Sequence, residues 1–219
     1  MQAEWQVRRE LTVIGRRLYE RGYVSATDGN LSARVARNRL LVSPAGACLG
    51  ALRPQDLLYA AIDGTPLARG ARPTSELPMH LAVYAVRADV GAIVHAHPVH
   101  ATALSLAGLD LREPVLPELT LHLGSIPTAP YATLATAEGA RAVRDLVRDH
   151  DALILDRHGT LTLGADPISA LQNLERLEHG AQIVAAAHRL GRLRTLSPEE
   201  CAGIAALRDT AAEAQRGTR

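Results

Sequence analysis

The stretch Val90-Gly91-Ala92-Ile93-Val94-His95-Ala96-His97-Pro98 decides how this chain is read. A short apolar run reads as a strand buried on both faces. Residues two apart on a strand point to the same side, so the imidazoles of His95 and His97 can converge on one point. That pair lies at the strand's carboxyl end, where open α/β sheets commonly place ligands. If a third donor arrives from elsewhere, the point is a metal site. His158, in Arg157-His158-Gly159-Thr160, follows the apolar run Leu153-Ile154-Leu155 and also stands at a strand end. Three neutral imidazoles form a standard catalytic zinc set with one coordination position left open.

His100 follows three residues after His97, as a rival ligand or as a partner that orients one. A helix opened by Pro98 turns it away from the strand face, so it ranks behind His158. Glu76, in Pro73-Thr74-Ser75-Glu76, is the nearby carboxylate. A glutamate at a helix start also has a purely structural explanation, through the helix dipole and a capping box. His122, His150, His179 and His188 occur singly and read as surface or core residues.

Outward from this centre, helices and strands interleave. Residues 4–21 carry a helical stripe of Val7, Leu11, Ile14 and Leu18. A strand over residues 31–35 pairs as a hairpin with Arg39–Val42, and residues 57–62 form another strand. A helix starts around residues 73–76, capped by Thr74 or Ser75, and runs through Val86. A second helix starts with Pro98 as its first residue. Short strands are predicted at residues 118–123 and 125–128, and a helix over 136–148. Ala152–Leu155 and residues 160–163 read as strands, Pro167–Leu190 as a long helix, and Ser197-Pro198-Glu199-Glu200 as the start of a last one. The pattern predicts a single α/β domain over residues 1–219, in three α/β/α layers, with a mixed, largely antiparallel sheet.

Composition excludes several classes. A chain of 219 residues, 47% hydrophobic and 21% charged, can bury a sizeable core. A net charge of +1 implies no broad attraction to nucleic acid or anionic lipid. No apolar run approaches the roughly 20 residues of a membrane helix, and the N-terminal residues lack a signal-peptide pattern. Cys48 and Cys201 are far apart, which suits a reducing cytoplasm.

Two loops look built for an anion. Gly29-Asn30 and Ala45-Gly46 can offer backbone N–H groups at close range, and Thr74 and Ser75 add hydroxyls at a helix N-terminus. Separately these are ordinary turns and caps; together they sketch a phosphate cradle.

The ordered set Gly29-Asn30-Leu31-Ser32-Ala33-Arg34, Ser43-Pro44-Ala45-Gly46, Pro73-Thr74-Ser75-Glu76, His95-Ala96-His97-Pro98-Val99-His100-Ala101-Thr102-Ala103, Ala129-Pro130-Tyr131-Ala132-Thr133 and His158-Gly159 resembles the class II aldolase/adducin family. Within that family its motifs resemble those of the L-fuculose-1-phosphate aldolases. The resemblance implies one Zn²⁺ per subunit on His95, His97 and His158. It makes Glu76 the catalytic acid/base and a zinc ligand at rest. It assigns substrate phosphate to Gly29, Asn30, Ala45, Gly46, Thr74 and Ser75. It also implies a cyclic homotetramer with interfacial active sites and a small sugar phosphate as partner.

The chain departs from the fuculose enzymes in three places. Ala45 replaces a threonine, residues 114–120 lack a tyrosine, and no tyrosine follows Tyr131. Those tyrosines help handle the aldehyde, so zinc and phosphate chemistry look retained while aldehyde specificity does not. The expected reaction is reversible cleavage of a ketose 1-phosphate, such as L-fuculose 1-phosphate, to dihydroxyacetone phosphate and an aldehyde. A 4-epimerase or a decarboxylase using the same zinc-stabilised enediolate is the alternative; the family's epimerase carries aspartate at the Glu76 position. A non-catalytic adducin-like interaction module is a more remote one, since such modules lose zinc ligands that are present here.

Overall fold

The computed structural model describes residues 3–133 and 136–217. Helix α1 (Glu4–Glu20) buries Val7, Leu11, Ile14 and Leu18, the predicted stripe. A loop leads into the antiparallel hairpin of β1 (Asn30–Ala36) and β2 (Arg39–Val42), and β2 pairs with β3 (Leu58–Ala61). Helix α2 (Leu77–Val86), strand β4 (Ala92–Ala96) and helices α3 (Val99–Leu106) and α4 (Pro117–Leu123) follow. Strand β5 (Thr128–Ala129), helix α5 (Ala137–Arg144), the hairpin of β6 (Ala152–Leu155) and β7 (Gly159–Gly164), and helices α6 (Pro167–Leu190) and α7 (Pro198–Gly217) complete the order.

The strands form one seven-stranded sheet in the order β3-β2-β1-β4-β7-β6-β5. Every pairing is antiparallel except that of β5 with β6, which makes the sheet mixed and largely antiparallel, as predicted. Successive side chains alternate between two buried faces. Leu31, Ala33, Val94, Ala96 and Ile154 pack towards α1, α3 and α6. Leu40, Val42, Ile93, Leu153 and Leu161 pack towards α2 and α5. Each fully buried Leu or Ile stabilises this three-layer arrangement by about 1.5–3 kcal/mol. Strand β4 lies inside the sheet and is buried at every residue, which explains its continuous apolar reading.

Several predicted elements change. Residues 118–123 alternate Leu119, Leu121, Leu123 like a strand, yet they form α4. Pro117 sits in its first turn, Leu119 and Leu123 are buried four residues apart, and Gly124 ends it at φ 64°. The strand predicted at 125–128 is reduced to Thr128–Ala129, with one isolated bridge between Leu111 and Ile126. The helix predicted over 136–148 stops at Arg144 and continues as a 3₁₀ turn, Leu146–Arg148. Pro98 is the N-cap of α3 rather than its first helical residue. Among the described residues no helix is long and apolar enough to cross a membrane.

Candidate functional site

Strand register puts the first two imidazoles in place. Asn30 of β1 pairs with His95 of β4, so both side chains face α2. His95 is fully buried, and its Nδ1 donates to the Thr160 carbonyl of β7 at 2.8 Å. That bond fixes the ring and turns Nε2 towards the cleft. His97 lies just past β4, its backbone N–H donating to the Tyr23 carbonyl at 2.8 Å. His158 comes from the turn between β6 and β7, where its N–H donates to the Leu155 carbonyl at 3.0 Å and Arg157 adopts φ 55°. A left-handed non-glycine residue costs about 1–2 kcal/mol. Gly159 is forced by the same approach: a Cβ there would collide with the Ala96 carbonyl oxygen and stand 2.6 Å from Cδ2 of His97.

The three imidazoles therefore meet, with one ligating nitrogen from each all within 4.8 Å of one another. Nε2 of His97 lies 3.0 Å from Nε2 of His95. Oε2 of Glu76 lies 3.0 Å from Nε2 of His95, and Oε1 lies 3.4 Å from Nε2 of His158. Asn30 Nδ2 donates to Glu76 Oε2 at 2.8 Å. Glu76 is the N-cap of α2 but makes no side-chain cap bond, so its carboxylate is spent on the site rather than on the helix. The N-cap predicted at Thr74 or Ser75 is Glu76 instead; the Thr74 hydroxyl accepts the Glu76 N–H at 3.3 Å in the turn that precedes the helix.

Electrostatics favour a cation at this point. Burial, reinforced by the neighbouring His95, pushes His97 and His158 down to about 4, so both are neutral with free lone pairs at pH 7. Burial alone would raise the Glu76 carboxyl. The His95 hydrogen bond, the electrostatic attraction of the His95 and His158 rings, and the Asn30 amide outweigh it and hold the carboxyl well below the usual range. Lone pairs of converging neutral imidazoles beside a carboxylate repel one another unless a cation lies among them. The donor set fits a divalent metal ion.

All six residues predicted to hold phosphate, Gly29, Asn30, Ala45, Gly46, Thr74 and Ser75, line one cleft of about 190 Å³ together with Glu76, His97 and His158. Gly29 holds φ 73°, and a Cβ there would stand 2.6 Å from Val24 Cγ1 and 2.9 Å from the His95 carbonyl oxygen. Two expected donors are otherwise engaged: the Ala45 N–H donates to the Arg72 carbonyl, and the Asn30 amide to Glu76. On the other side of Glu76 and His158, Pro78, Met79, Ala129, Pro130 and Val143 form a mostly apolar recess.

His100 is not part of the imidazole group. Its Nδ1 lies 2.9 Å from Glu178, whose two oxygens also accept the backbone N–H groups of His100 and Ala101 at the start of α3. The sequence reading missed His80, which is fully buried one turn after Glu76 and bonded through Nδ1 to Ser32 Oγ at 2.7 Å. A histidine inside the otherwise apolar helix Leu77–Val86 was the available signal.

Comparison with known proteins identifies the family of the chain. The chain is 36% identical over 185 residues to a 3-oxo-tetronate 4-phosphate decarboxylase of Escherichia coli K12, spanning 83% of this chain and 87% of that protein. It is also 36% identical over 174 residues to an L-fuculose phosphate aldolase of Methanococcus maripaludis C5, spanning 80% and 93%. The crystal structure of YgbL from Escherichia coli, described as a candidate aldolase, epimerase or decarboxylase, superposes with TM-score 0.85 at 34% identity, covering 93% of this chain and 99% of that one. An L-fuculose 1-phosphate aldolase structure superposes with TM-score 0.84 at 29% identity, covering 91% and 94%. The model of the Class II Aldolase and Adducin N-terminal domain matches residues 9–185, so the chain belongs to the class II aldolase/adducin family.

Proposed function

We propose that this chain is a zinc-dependent lyase that decarboxylates a small 3-oxo acid carrying a phosphate. The sequence ranked aldol cleavage first and decarboxylation as its alternative; the decarboxylase relatives support the alternative better. Both reactions pass through the same triose phosphate carbanion and differ in what leaves. Aldol cleavage needs a group to take the hydroxyl proton of the departing carbon. Decarboxylation needs none, because the electron pair of the breaking C–C bond stays on the substrate and CO₂ departs neutral. The observation that carries the reading is the recess beside Glu76 and His158. Among its described lining residues there is no tyrosine, lysine or arginine, and Asp156 is the one further ionisable group.

His95, His97 and His158 would hold Zn²⁺, with Glu76 beside it at rest. When bound, the ion supplies Lewis-acid stabilisation of the negative charge that develops on substrate oxygens. The residues lining the 190 Å³ cleft hold the phosphate, chiefly through the Thr74 hydroxyl, Ser75 and the Gly46 backbone. Asn30 acts one step back, through Glu76.

Glu76 is the proton carrier. An arriving substrate would move its carboxylate away from the metal-binding group, leaving burial, which raises a carboxyl, as the main influence on it. Its affinity for a proton then rises. The proton held on an Oε atom passes to the carbon that lost CO₂, and water restores it afterwards. For a four-carbon 2-hydroxy-3-oxo acid 4-phosphate the products are CO₂ and dihydroxyacetone phosphate.

The test is to supply the zinc-loaded protein with such a substrate and follow CO₂. Separately, dihydroxyacetone phosphate is offered with a panel of aldehydes. CO₂ release without condensation supports the reading. Condensation without CO₂ release returns the chain to the aldolases.

A further inference from the structure

A second polar line runs behind the site, inside the seam between β1 and α2. Tyr84, Ser32 and His80 are all buried. Ser32 Oγ lies 2.9 Å from the Tyr84 hydroxyl and 2.7 Å from His80 Nδ1. Three buried atoms in the same seam have no hydrogen-bond partner among the described residues: Nε2 of His80, Oδ1 of Asn30 and, beside Tyr84 at the other end, Nε of Arg34. Asn30 and Ser32 project from the same face of β1, and Glu76 and His80 stand one helical turn apart across from them.

Counting protons fixes the direction of this line. Ser32 has one hydroxyl proton and two partners. If it donates to Tyr84, the Tyr84 proton has no acceptor, and His80 must carry its proton on Nδ1. The bare Nε2 and Asn30 Oδ1 are then both unpaired acceptors, while the unpaired donor of the seam, Arg34 Nε–H, stands at its Tyr84 end. If Tyr84 instead donates to Ser32, and Ser32 to His80 Nδ1, both hydroxyls are satisfied. At the Asn30 end one donor then remains, His80 Nε2–H, and one acceptor, Asn30 Oδ1; the other unpaired donor, Arg34 Nε–H, stands at the Tyr84 end. Burial pushes His80 down to about 3, so the ring carries only that one proton.

We propose that His80 is a positioning residue: its Nε2–H, through one buried water, holds Asn30 Oδ1 and thereby keeps the Asn30 amide N–H aimed at Glu76. The line Tyr84, Ser32, His80, Asn30, Glu76 then donates in one direction throughout and ends on the carboxylate. A half-satisfied buried line is costly, whereas a complete one fixes its members in a single arrangement. Asn30 keeps Glu76 in register with the imidazoles, so His80 acts on the proton step and not on phosphate binding. This rests on the reading of Glu76 as proton carrier.

The experiment has one readout independent of turnover. In zinc-loaded protein, long-range ¹H–¹⁵N correlation identifies the His80 tautomer, and solvent exchange of the Asn30 side-chain amide is measured in wild type, His80→Gln and His80→Met. Nε2–H is expected, with Asn30 exchange about tenfold faster in His80→Met and near wild type in His80→Gln, whose amide restores a donor. In turnover, His80→Met is expected to lower kcat by about tenfold with KM and zinc content unaltered, and His80→Gln to recover most of it. An Nδ1–H tautomer, or identical Asn30 exchange in all three proteins, overturns the proposal. Equal kcat loss in both variants overturns it too. A wild-type protein that releases no CO₂ refutes the functional reading instead, and the tautomer and exchange measurements still decide this one.

Discussion

Acidifying the metal-free protein from pH 7 to pH 5 is predicted to remove a measurable share of its stability, and the loss can be worked out from three histidines. His97 and His158 are held down to about 4 and His80 to about 3, against 6.5 for a solvated imidazole. Between pH 7 and 5 the unfolded chain takes up protons at these positions while the folded chain does not. Stability therefore falls as pH falls through 6.5 and levels off near the folded values. Each imidazole accounts for at most about 2 kcal/mol over this interval, or about 6 kcal/mol for all three. His97 and His158 are partly exposed and couple to each other, which discounts the total to about 3–4 kcal/mol. Carboxylates contribute little in this window, because the unfolded Glu and Asp values lie below it. Chelator-treated protein is unfolded in urea at both pH values. A drop of about 3 kcal/mol, reduced by about 1 kcal/mol or more in His97→Ala, supports the argument. Equal stability at pH 7 and pH 5 refutes it.

Other consequences can be checked more briefly. Glu76→Gln is expected to cut turnover by about 10²- to 10⁴-fold while zinc content, read by elemental analysis, stays at wild type. Gly159→Ala forces a carbon against the Ala96 carbonyl and the His97 ring, so urea unfolding should show a loss of about 1–3 kcal/mol together with weaker zinc binding. Because His97 and His158 are already neutral at pH 7, zinc uptake monitored by proton release should liberate few protons at pH 7, and affinity should fall steeply only as pH approaches 4. Thr136 accepts the Gly139 N–H at the start of α5, and Thr136→Ala should cost about 1 kcal/mol in thermal unfolding.

Much of this was legible in the sequence, for local reasons. The α1 stripe, the β1–β2 hairpin and α6 each carry their period and their end signals within a few residues, and α6 begins at Pro167 and ends at Leu190 as read. Helix α4 was misread because Leu119, Leu121 and Leu123 satisfy a two-residue period. Long-range packing decided it: Leu119 lies against Gly180 of α6, where a Cβ would stand 2.7 Å from the leucine side chain. The gathering of His95, His97, His158 and Glu76 was anticipated because each lies at an element end. The bond from Asn30 to Glu76 links residues 46 apart in sequence, and no local pattern announces it. His80 went unread for a related reason, since its partner Ser32 comes from a strand that only the sheet brings near.

The most direct test concerns the step that decarboxylation and aldol cleavage share. Zinc-loaded protein is incubated with dihydroxyacetone phosphate in D₂O, and the hydroxymethyl hydrogens are followed by NMR. The account predicts exchange of one of the two hydrogens in wild type, abolished by a chelator and lost in Glu76→Gln with zinc retained. Absence of exchange in wild type, or exchange undiminished in Glu76→Gln, would contradict it.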